Sequence, residues 1–334
     1  MALSANFDLS STRTLIIESS LRKLGALAEG QAATATSLTT ASEALNYMIK
    51  AWAAEGMPVW NLKRGYIYPL ADDSEMDLNP ASSADHWSEE LILTKLTNNA
   101  ASGATTITVS TTAGIDVTGT TANSDNIGIE MNDGSIHWTT ISAGGGTTGL
   151  TLAAALLPAN QTASSSNRVY AYTTRAQAPI EIEGVWRVNA ATGDRIEVRN
   201  TALFELLDNT NLTSDNEGPV LEYNYQKQIN TTGGSVGVFR IWPRFENGDE
   251  YLELLFQAPF DDMDAATNNP SFPQEWFEAI VYSLAVRLAP EYKLPLQERM
   301  LLKEEAQAMK ERANMSSREN ASIMFEPEMD WSHG

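Results

Sequence analysis

Apolar residues near the start of the chain recur every three or four positions, which is the spacing of one face of a helix. Two helices are predicted in this way, over residues 12–25 and 40–56. The second opens on a capping box at residues 40–43, and Gly56 provides its stop. The two apolar stripes are Ile17, Leu21 and Leu24, and Leu45, Met48, Ile49 and Trp52. Such short helices need packing partners elsewhere in the chain.

Between residues 88 and 175 the pattern changes to alternation, and Thr, Ser, Gly and Ala dominate the composition. Apolar residues alternate over 127–131 and again over 136–140, on either side of Asn132-Asp133-Gly134. This arrangement predicts a hairpin about a tight turn. Further short strands are predicted over residues 105–109, 149–152 and 168–172. We therefore expect a small antiparallel β domain, a sandwich or barrel, inserted as a compact appendage.

The second half of the chain mixes both patterns. VGVFRIWP and YLELLF are typical of strands, and a short helix is predicted over residues 201–207. Pro273 and Pro295 favour helix starts and predict helices over 273–289 and 295–312. In the last helix Met300, Leu301 and Met309 are expected to pack, with charged residues on the outer face.

These elements predict an α+β protein with three parts. Residues 1–87 and 176–313 would form a core built from the N- and C-terminal helices. Residues 88–175 would form the inserted β domain, and residues 314–334 an extended C-terminal arm with isolated apolar anchors.

Composition narrows the function. Of 334 residues, 43% are apolar, which is enough for a sizeable core. The formal net charge of -21, from 43 acidic and 22 basic residues, argues against tight DNA binding. It does not argue against a channel through which DNA passes. The absence of cysteine excludes disulfides and thiolate zinc sites. With no long apolar run and no signal-peptide pattern, we expect a soluble protein without a membrane partner.

Acidic side chains are the main candidates for chemistry. Asp261, Asp262 and Asp264 could hold a hard cation, although acidic loop residues before a helix more often cap it or stay solvated. Glu89 with Glu90, and Glu246 with Asp249 and Glu250, could form glycosidase pairs, but so acidic a chain contains such pairs by chance. We therefore predict no metal site, no cofactor and no catalytic residue.

Other motifs give no stronger signal. The many serines do not predict a catalytic triad, because His86 and His137 lie in or beside polar, strand-rich stretches and are expected to be ordinary surface or hairpin residues. Gly144 to Gly146 lack the Lys and Ser or Thr of a phosphate loop. Trp52, Trp276 and Phe277 stand at helical spacing and are expected in the core. The sequence thus favours a protein that is not an enzyme.

Four stretches carry a resemblance to a known family: SEALNYMIKAWAAEGMPVW, FRIWPRF, FDDMDAATNNPSFPQEWFEAIVYSLAVRLAPEY and SIMFEPEM. In order and spacing they resemble the head-to-tail connector proteins of tailed bacteriophages, also called adaptors or tail accessory factors, across most of residues 1–62 and 176–334. The inserted β domain is similar to one that some members carry and others lack.

The resemblance implies a structural protein of the virion, assembled in the host cytoplasm. It implies a homo-oligomeric ring, a dodecamer, beneath the portal protein, which completes the DNA-filled head and offers a platform for nozzle, tube or fibre proteins of the tail. Phage DNA would pass the channel without specific binding. The expected partner contacts lie in the C-terminal arm: Ile323, Met324, Phe325, Pro327, Met329 and Trp331.

Three alternatives stay open. Some relatives have been credited with cell-wall hydrolase activity, so the chain could be a tail-associated enzyme. It could instead be a receptor-binding or fibre-type module that uses the β domain. Finally, the arm could fold back on its own subunit instead of reaching a partner.

Overall fold

The computed structural model describes residues 12–55, 61–70, 73–80, 85–116, 125–144, 148–156, 162–212, 216–229, 235–268 and 271–316. The chain forms two compact units, one of Met1–Asn61 with Phe260–Gly334 and one of Leu62–Pro259. The protein is a mixed α+β structure with antiparallel sheets. Its division differs from the predicted one. Residues 62–87 and 176–259 fold with the inserted β domain, because their strands build the sheets beside it.

The helices are α1 (Arg13–Lys23), α2 (Ala35–Ala54), α3 (Leu203–Leu212), α4 (Phe277–Leu288) and α5 (Leu296–Ser316). A turn of 3-10 helix, Gln274–Trp276, precedes α4. All but α3 belong to the first unit, here called the helical unit, and α3 belongs to the second, the β-rich unit. The helical unit thus joins helices from both halves of the chain.

Side-chain caps set where the first two helices begin. The Thr12 hydroxyl accepts a hydrogen bond from the Leu15 amide, and Gly25 follows α1 with a φ of 67°. The start predicted for α2 at residue 40 is wrong. Thr34 caps the helix by accepting from the Ser37 amide at 3.2 Å, so α2 begins at Ala35 and the predicted capping box lies inside it.

Tight contacts hold the helical unit together. Ser20 is fully buried in α1, and its hydroxyl donates to the Val281 carbonyl of α4 at 2.9 Å. The rings of Trp52 and Trp276 meet edge to face at 5.8 Å between centroids. Both tryptophans are buried, as predicted, whereas Phe277 is only partly buried. Fully buried isoleucine and leucine side chains of this unit include Ile16, Ile17, Leu45, Ile280 and Leu284.

The packing predicted for Met300 and Leu301 in the last helix is wrong, whereas Met309 is partly buried. Met300 and Leu301 are exposed, while Leu302, Ala306 and Ala313 are buried instead. Helix α5 carries two apolar stripes, and either could have packed against the helical unit. The stripe with the small alanines is the buried one, because it allows α5 to approach the unit closely. The helix also continues to Ser316, so the first residues of the predicted arm are helical.

The strands are β1 (Leu62–Ile67), β2 (Glu75–Leu78), β3 (Trp87–Ser88), β4 (Ile92–Lys95), β5 (Thr106–Thr108), β6 (Asn126–Glu130), β7 (Ile136–Ala143), β8 (Gly149–Leu152), β9 (Arg168–Tyr172), β10 (Glu181–Asn189), β11 (Arg195–Glu197), β12 (Arg199–Asn200), β13 (Glu222–Ile229), β14 (Ser235–Trp242) and β15 (Glu250–Gln257). They form a five-stranded sheet (β11-β10-β15-β1-β3), a four-stranded sheet (β12-β13-β14-β2) and a six-stranded sheet (β4-β9-β6-β7-β8-β5).

The six-stranded sheet corresponds to the predicted β domain. Its hairpin is confirmed: Ile129 pairs with His137, and Gly134 turns the chain with a φ of 87°. The sheet curls back on itself, since Leu96 after β4 bridges Val109 after β5 and Thr97 donates to the Thr108 carbonyl. We call this partly closed structure the barrel. Its core is apolar and contains Ile107, Ile127, Ile129, Ile141, Leu150 and Val169.

The other two sheets share a separate core. Leu252, Leu254 and Phe256 of β15 contribute to it with Phe239 and Ile241 of β14. In the five-stranded sheet β1 and β15 are antiparallel neighbours, with Leu62 opposite Gln257. The first and last strands of the β-rich unit are therefore paired at its centre.

The barrel is seated on the five-stranded sheet by aromatic side chains. Tyr170 and Tyr172 of β9 pack with Tyr68, Tyr251 and Val188 in one buried cluster. The Tyr170 hydroxyl donates to the Gly248 carbonyl at 2.6 Å. Arg168 of β9 pairs with both Glu130 and Asp249, which lies just before β15. The β domain that was predicted as an appendage is therefore an integral part of the β-rich unit.

Candidate assembly surface

Helix α5 packs against the rest of the helical unit with one of its faces. Its 21 residues correspond to a length of about 31 Å at 1.5 Å per residue. Lys310 fixes the C-terminal half: its ammonium lies 2.8 Å from Glu55 Oε2 and 4.9 Å from the centre of the Trp52 ring. Leu302, Ala306 and Ala313 complete the packed side.

The other side carries large apolar residues that are open to solvent. Leu296, Met300, Leu301 and Met315 are 58–67% exposed, and we call them the α5 outer face. Isolated exposed leucines are normal on protein surfaces, but several on one helix face mark an interaction site. The charged side chains of Lys303, Glu304 and Glu311 lie among them and keep the face hydrated.

A groove adjoins this face where the end of α1 meets the start of α5. Leu24, Leu294 and Leu302 supply apolar lining, and Leu301 of the outer face stands at the edge. The groove has a volume of about 440 Å³. Volumes of roughly 300–1,000 Å³ are usual for binding sites. The groove and the outer face together form one continuous apolar surface on the helical unit.

Smaller exposed apolar positions occur elsewhere. Leu15 and Tyr47 are exposed on α1 and α2. The β-rich unit exposes Ile196, Phe204, Leu207 and Leu221. These residues are spread over more elements than the α5 outer face, so α5 offers the stronger candidate surface.

The aspartates considered for a cation site point to different partners. Asp262 pairs with Lys50 at 3.0 Å, and Asp261 accepts from Ser271 at 3.4 Å. Asp264 is tied through its carbonyl, which accepts from Arg13 at 2.6 Å. Within the described ranges no three His, Asp or Glu side chains lie close enough to share a metal ion. These aspartates organise the loop between β15 and α4.

The first glutamate pair is likewise occupied. Glu89 pairs with Lys63 at 2.8 Å. Glu90 accepts from the Thr173 amide at 2.8 Å, and its carbonyl accepts from the Tyr68 hydroxyl. Both carboxylates hold the chain where it enters and leaves the barrel.

The second group lines a shallow polar hollow before β15. Glu246, Asp249 and Glu250 border it, and its volume of about 100 Å³ is well below the roughly 300 Å³ of common ligand pockets. Asp249 is engaged with Arg168, and Glu250 lies 4.0 Å from Arg187. The hollow offers little room for a polysaccharide between two carboxyl groups.

The expectation that the histidines are ordinary surface or hairpin residues is wrong for His86, whereas His137 does lie in the hairpin, on β7. His86 is 7% exposed, its Nδ1 lies 2.7 Å from the Tyr172 hydroxyl, and its ring stacks on Trp138. Burial, with a smaller effect of Arg175, lowers the pKa of His86 to about 3. Charge at this position is therefore strongly disfavoured in the folded protein.

His137 faces the barrel interior, because it is the register partner of Ile129 and is 4% exposed. Neither ring nitrogen has a hydrogen-bond partner in the described structure. Burial lowers the pKa of this histidine too. Alternation in β7 could have shown that His137 shares a face with Ile141; nothing local marks His86.

The predicted contact residues of the C-terminal arm, Ile323, Met324, Phe325, Pro327, Met329 and Trp331, lie outside the described residues. Gly145 and Gly146 of the glycine run do so as well. The sequence therefore placed the partner contacts beyond α5, and it missed the exposed face of α5 itself.

No family model matches the chain, and no curated protein matches it significantly. In the described part of the chain, no helix combines the length and the apolar character that a bilayer crossing requires.

Proposed function

We propose that this protein is a structural subunit of a tailed bacteriophage, an adaptor that forms a ring between the portal and the tail. One observation carries the proposal: α5 is packed on one side and exposes four large apolar residues on the other. A ring of identical subunits needs heterologous contacts, in which one surface of each subunit meets a different surface of its neighbour. The α5 outer face supplies one of these surfaces.

The resemblance to connector proteins supports this kind of ring. Two of the stretches that carry it lie in the helical unit, one in α2 and one from Phe260 through α4. By this resemblance the ring is dodecameric, its arm residues contact the portal, and its other end receives tail proteins. We assign no catalytic residue, cofactor or metal to the subunit.

The charge of the chain suits a channel for DNA. A net charge of -21 repels phosphate, so an acidic lumen would let the genome slide without being held. An assembled ring with Lys and Arg lining its pore would contradict this part of the proposal.

The proposal is tested by native mass spectrometry of the full chain, alone and with portal protein. We expect a dodecameric species, formed alone or on the portal, and loss of portal attachment after deletion of residues 321–334 with the fold retained. A chain that forms no ring in either condition would overturn the proposal. Clearing of peptidoglycan would favour the hydrolase alternative, and binding of the full chain to intact cells the receptor-binding module.

A further inference from the structure

The groove between α1 and α5 is built to receive apolar side chains. Leu24 and Leu302 of its lining are 6% and 8% exposed, so they are fixed by the unit behind them. Leu301 at the edge is 63% exposed and has an uncovered side chain. An occupant would therefore bury an existing apolar surface without rearranging the core.

The chain itself contains a segment of suitable chemistry. Residues 317–334 follow α5, lie outside the described residues, and carry three consecutive apolar side chains, Ile323, Met324 and Phe325. These are the bulkiest apolar run in that segment. Covering these side chains is favourable because it removes apolar surface from water, and the groove lies on the helix from which they continue in sequence.

The distances permit this contact within one chain. Leu301 and Ser316 are separated by 15 residues of helix, or about 22 Å at 1.5 Å per residue. From Ser316 to Phe325 the chain has nine residues, which span at most about 30 Å when extended. A segment that turns back after Ser316 can thus reach the groove, and its path follows the α5 outer face past Met315 and Met300.

The charged residues that line the groove favour one orientation of the C-terminal segment in it. Arg22 and Lys23 stand on the α1 side of the groove. Lys23 donates to the Tyr282 hydroxyl at 2.8 Å, a contact that keeps its ammonium beside the groove. Glu326 and Glu328 directly follow the apolar run. Glu298 and Glu305 line the opposite side, so the acidic part of the segment is directed toward α1.

We propose that in the free subunit Ile323, Met324 and Phe325 occupy this groove of their own chain, and that residues 317–322 cover the α5 outer face. The consequence for assembly rests on the proposed ring: the surface that meets a neighbour stays covered until a partner draws the segment away. Portal binding by the arm and closure of the ring would then be coupled events.

Docking of the segment can be tested directly by disulfide formation. The chain has no cysteine, so a disulfide can form only between cysteines that are introduced. Leu301→Cys with Phe325→Cys is oxidised mildly at low protein concentration, and the monomer band is followed on a non-reducing gel. The matched control is Leu15→Cys with Phe325→Cys, since Leu15 is also exposed but lies nine residues before Leu24 on α1. We expect intrachain closure at least tenfold faster for the Leu301 pair. Equal rates for the two pairs, or mainly interchain dimers, would overturn the proposal.

Truncation separates this inference from the proposed function. A chain that stops at Ser316 should keep its melting temperature and self-associate at concentrations where the full chain is monomeric, as measured by sedimentation. If it behaves as the full chain does, the covering role is refuted. If the disulfide forms but no ring appears with or without portal, the docking stands and the proposed function fails.

Discussion

The imidazole of His86 lies flat on the indole of Trp138, with 3.6 Å between ring centroids and 12° between their planes. His86 precedes β3 in the five-stranded sheet, and Trp138 belongs to β7 of the barrel. Their contact thus fastens the barrel to the sheet through a titratable group that the fold keeps neutral.

Acid should therefore weaken the protein through His86. The unfolded histidine takes a proton below about pH 6.5, whereas the folded one resists it down to a pKa of about 3. The unfolded state binds more protons in this interval. Lowering the pH therefore reduces the free energy of unfolding, by up to about 1.4 kcal/mol per pH unit from this group. Urea unfolding between pH 7 and 4 should show a smaller slope in His86→Gln.

The same series needs two comparisons. His137→Gln should also reduce the slope, because burial lowers the pKa of His137. Gln307→Ala, an exposed non-titrating change, should leave it as in the parent protein. An unchanged slope in His86→Gln would show that His86 is not held neutral.

A methyl group at Gly65 should destabilise the β-rich unit. A Cβ there would lie 2.3 Å from Trp87 and 2.9 Å from Phe256, whose rings are fully buried and cannot move aside. Overpacking of this kind costs about 1–3 kcal/mol, so Gly65→Ala should lower the melting temperature by several degrees. Gly218→Ala is the control, because its new methyl would meet Pro243 only at 3.9 Å. Equal melting temperatures for the two variants would argue against close packing at Gly65.

Glycine should stabilise the protein at Ser166. This residue has a φ of 80°, a conformation in which side chains are strained and glycine is not. Ser166→Gly should raise the free energy of unfolding by up to about 1 kcal/mol in chemical denaturation. The adjacent Ser165→Gly, where φ is not positive, should be neutral or destabilising. A loss of stability in Ser166→Gly would contradict the prediction.

A charge on the α5 outer face should block assembly without unfolding the subunit. Met300→Glu adds a carboxylate where the side chain is already exposed, so the melting temperature should stay within about a degree. In the proposed ring the same carboxylate would lose its water at the contact with the neighbouring subunit, which should reduce assembly at least tenfold by native mass spectrometry. Phe204→Glu changes an apolar position of the β-rich unit that is even more exposed, and this variant should assemble normally. Full assembly of Met300→Glu would remove α5 from the contact.

Sequence patterns predicted those elements whose cause is local. The hairpin about Gly134 and the helix after Pro273 follow from turn and start residues that lie beside them in the chain. The buried face of α5 could not be predicted from the sequence, because two stripes of similar apolar content compete. Only the contacts of α5 with Trp52 of α2 and with α4 select between them.

Features that depend on contacts between distant parts of the chain could not be predicted from the sequence. The division of the chain depends on Leu62 opposite Gln257, a register that no local pattern encodes. Burial of His86 depends on Trp138, which is also remote in sequence. The candidate surface was missed for the same reason, since exposure of Met300 is known only once Ala306 is seen to face inward.

The pairing of β1 with β15 also decides how the β-rich unit bears mechanical load. Both covalent connections to the helical unit leave from the same end of these two adjacent strands, at Leu62 and after Gln257. A pull through both connections draws the two strands in one direction and causes no sliding between them. The load passes instead to the ladder between β15 and β10, where eight residue pairs from Glu181 to Asn189 would share the shear.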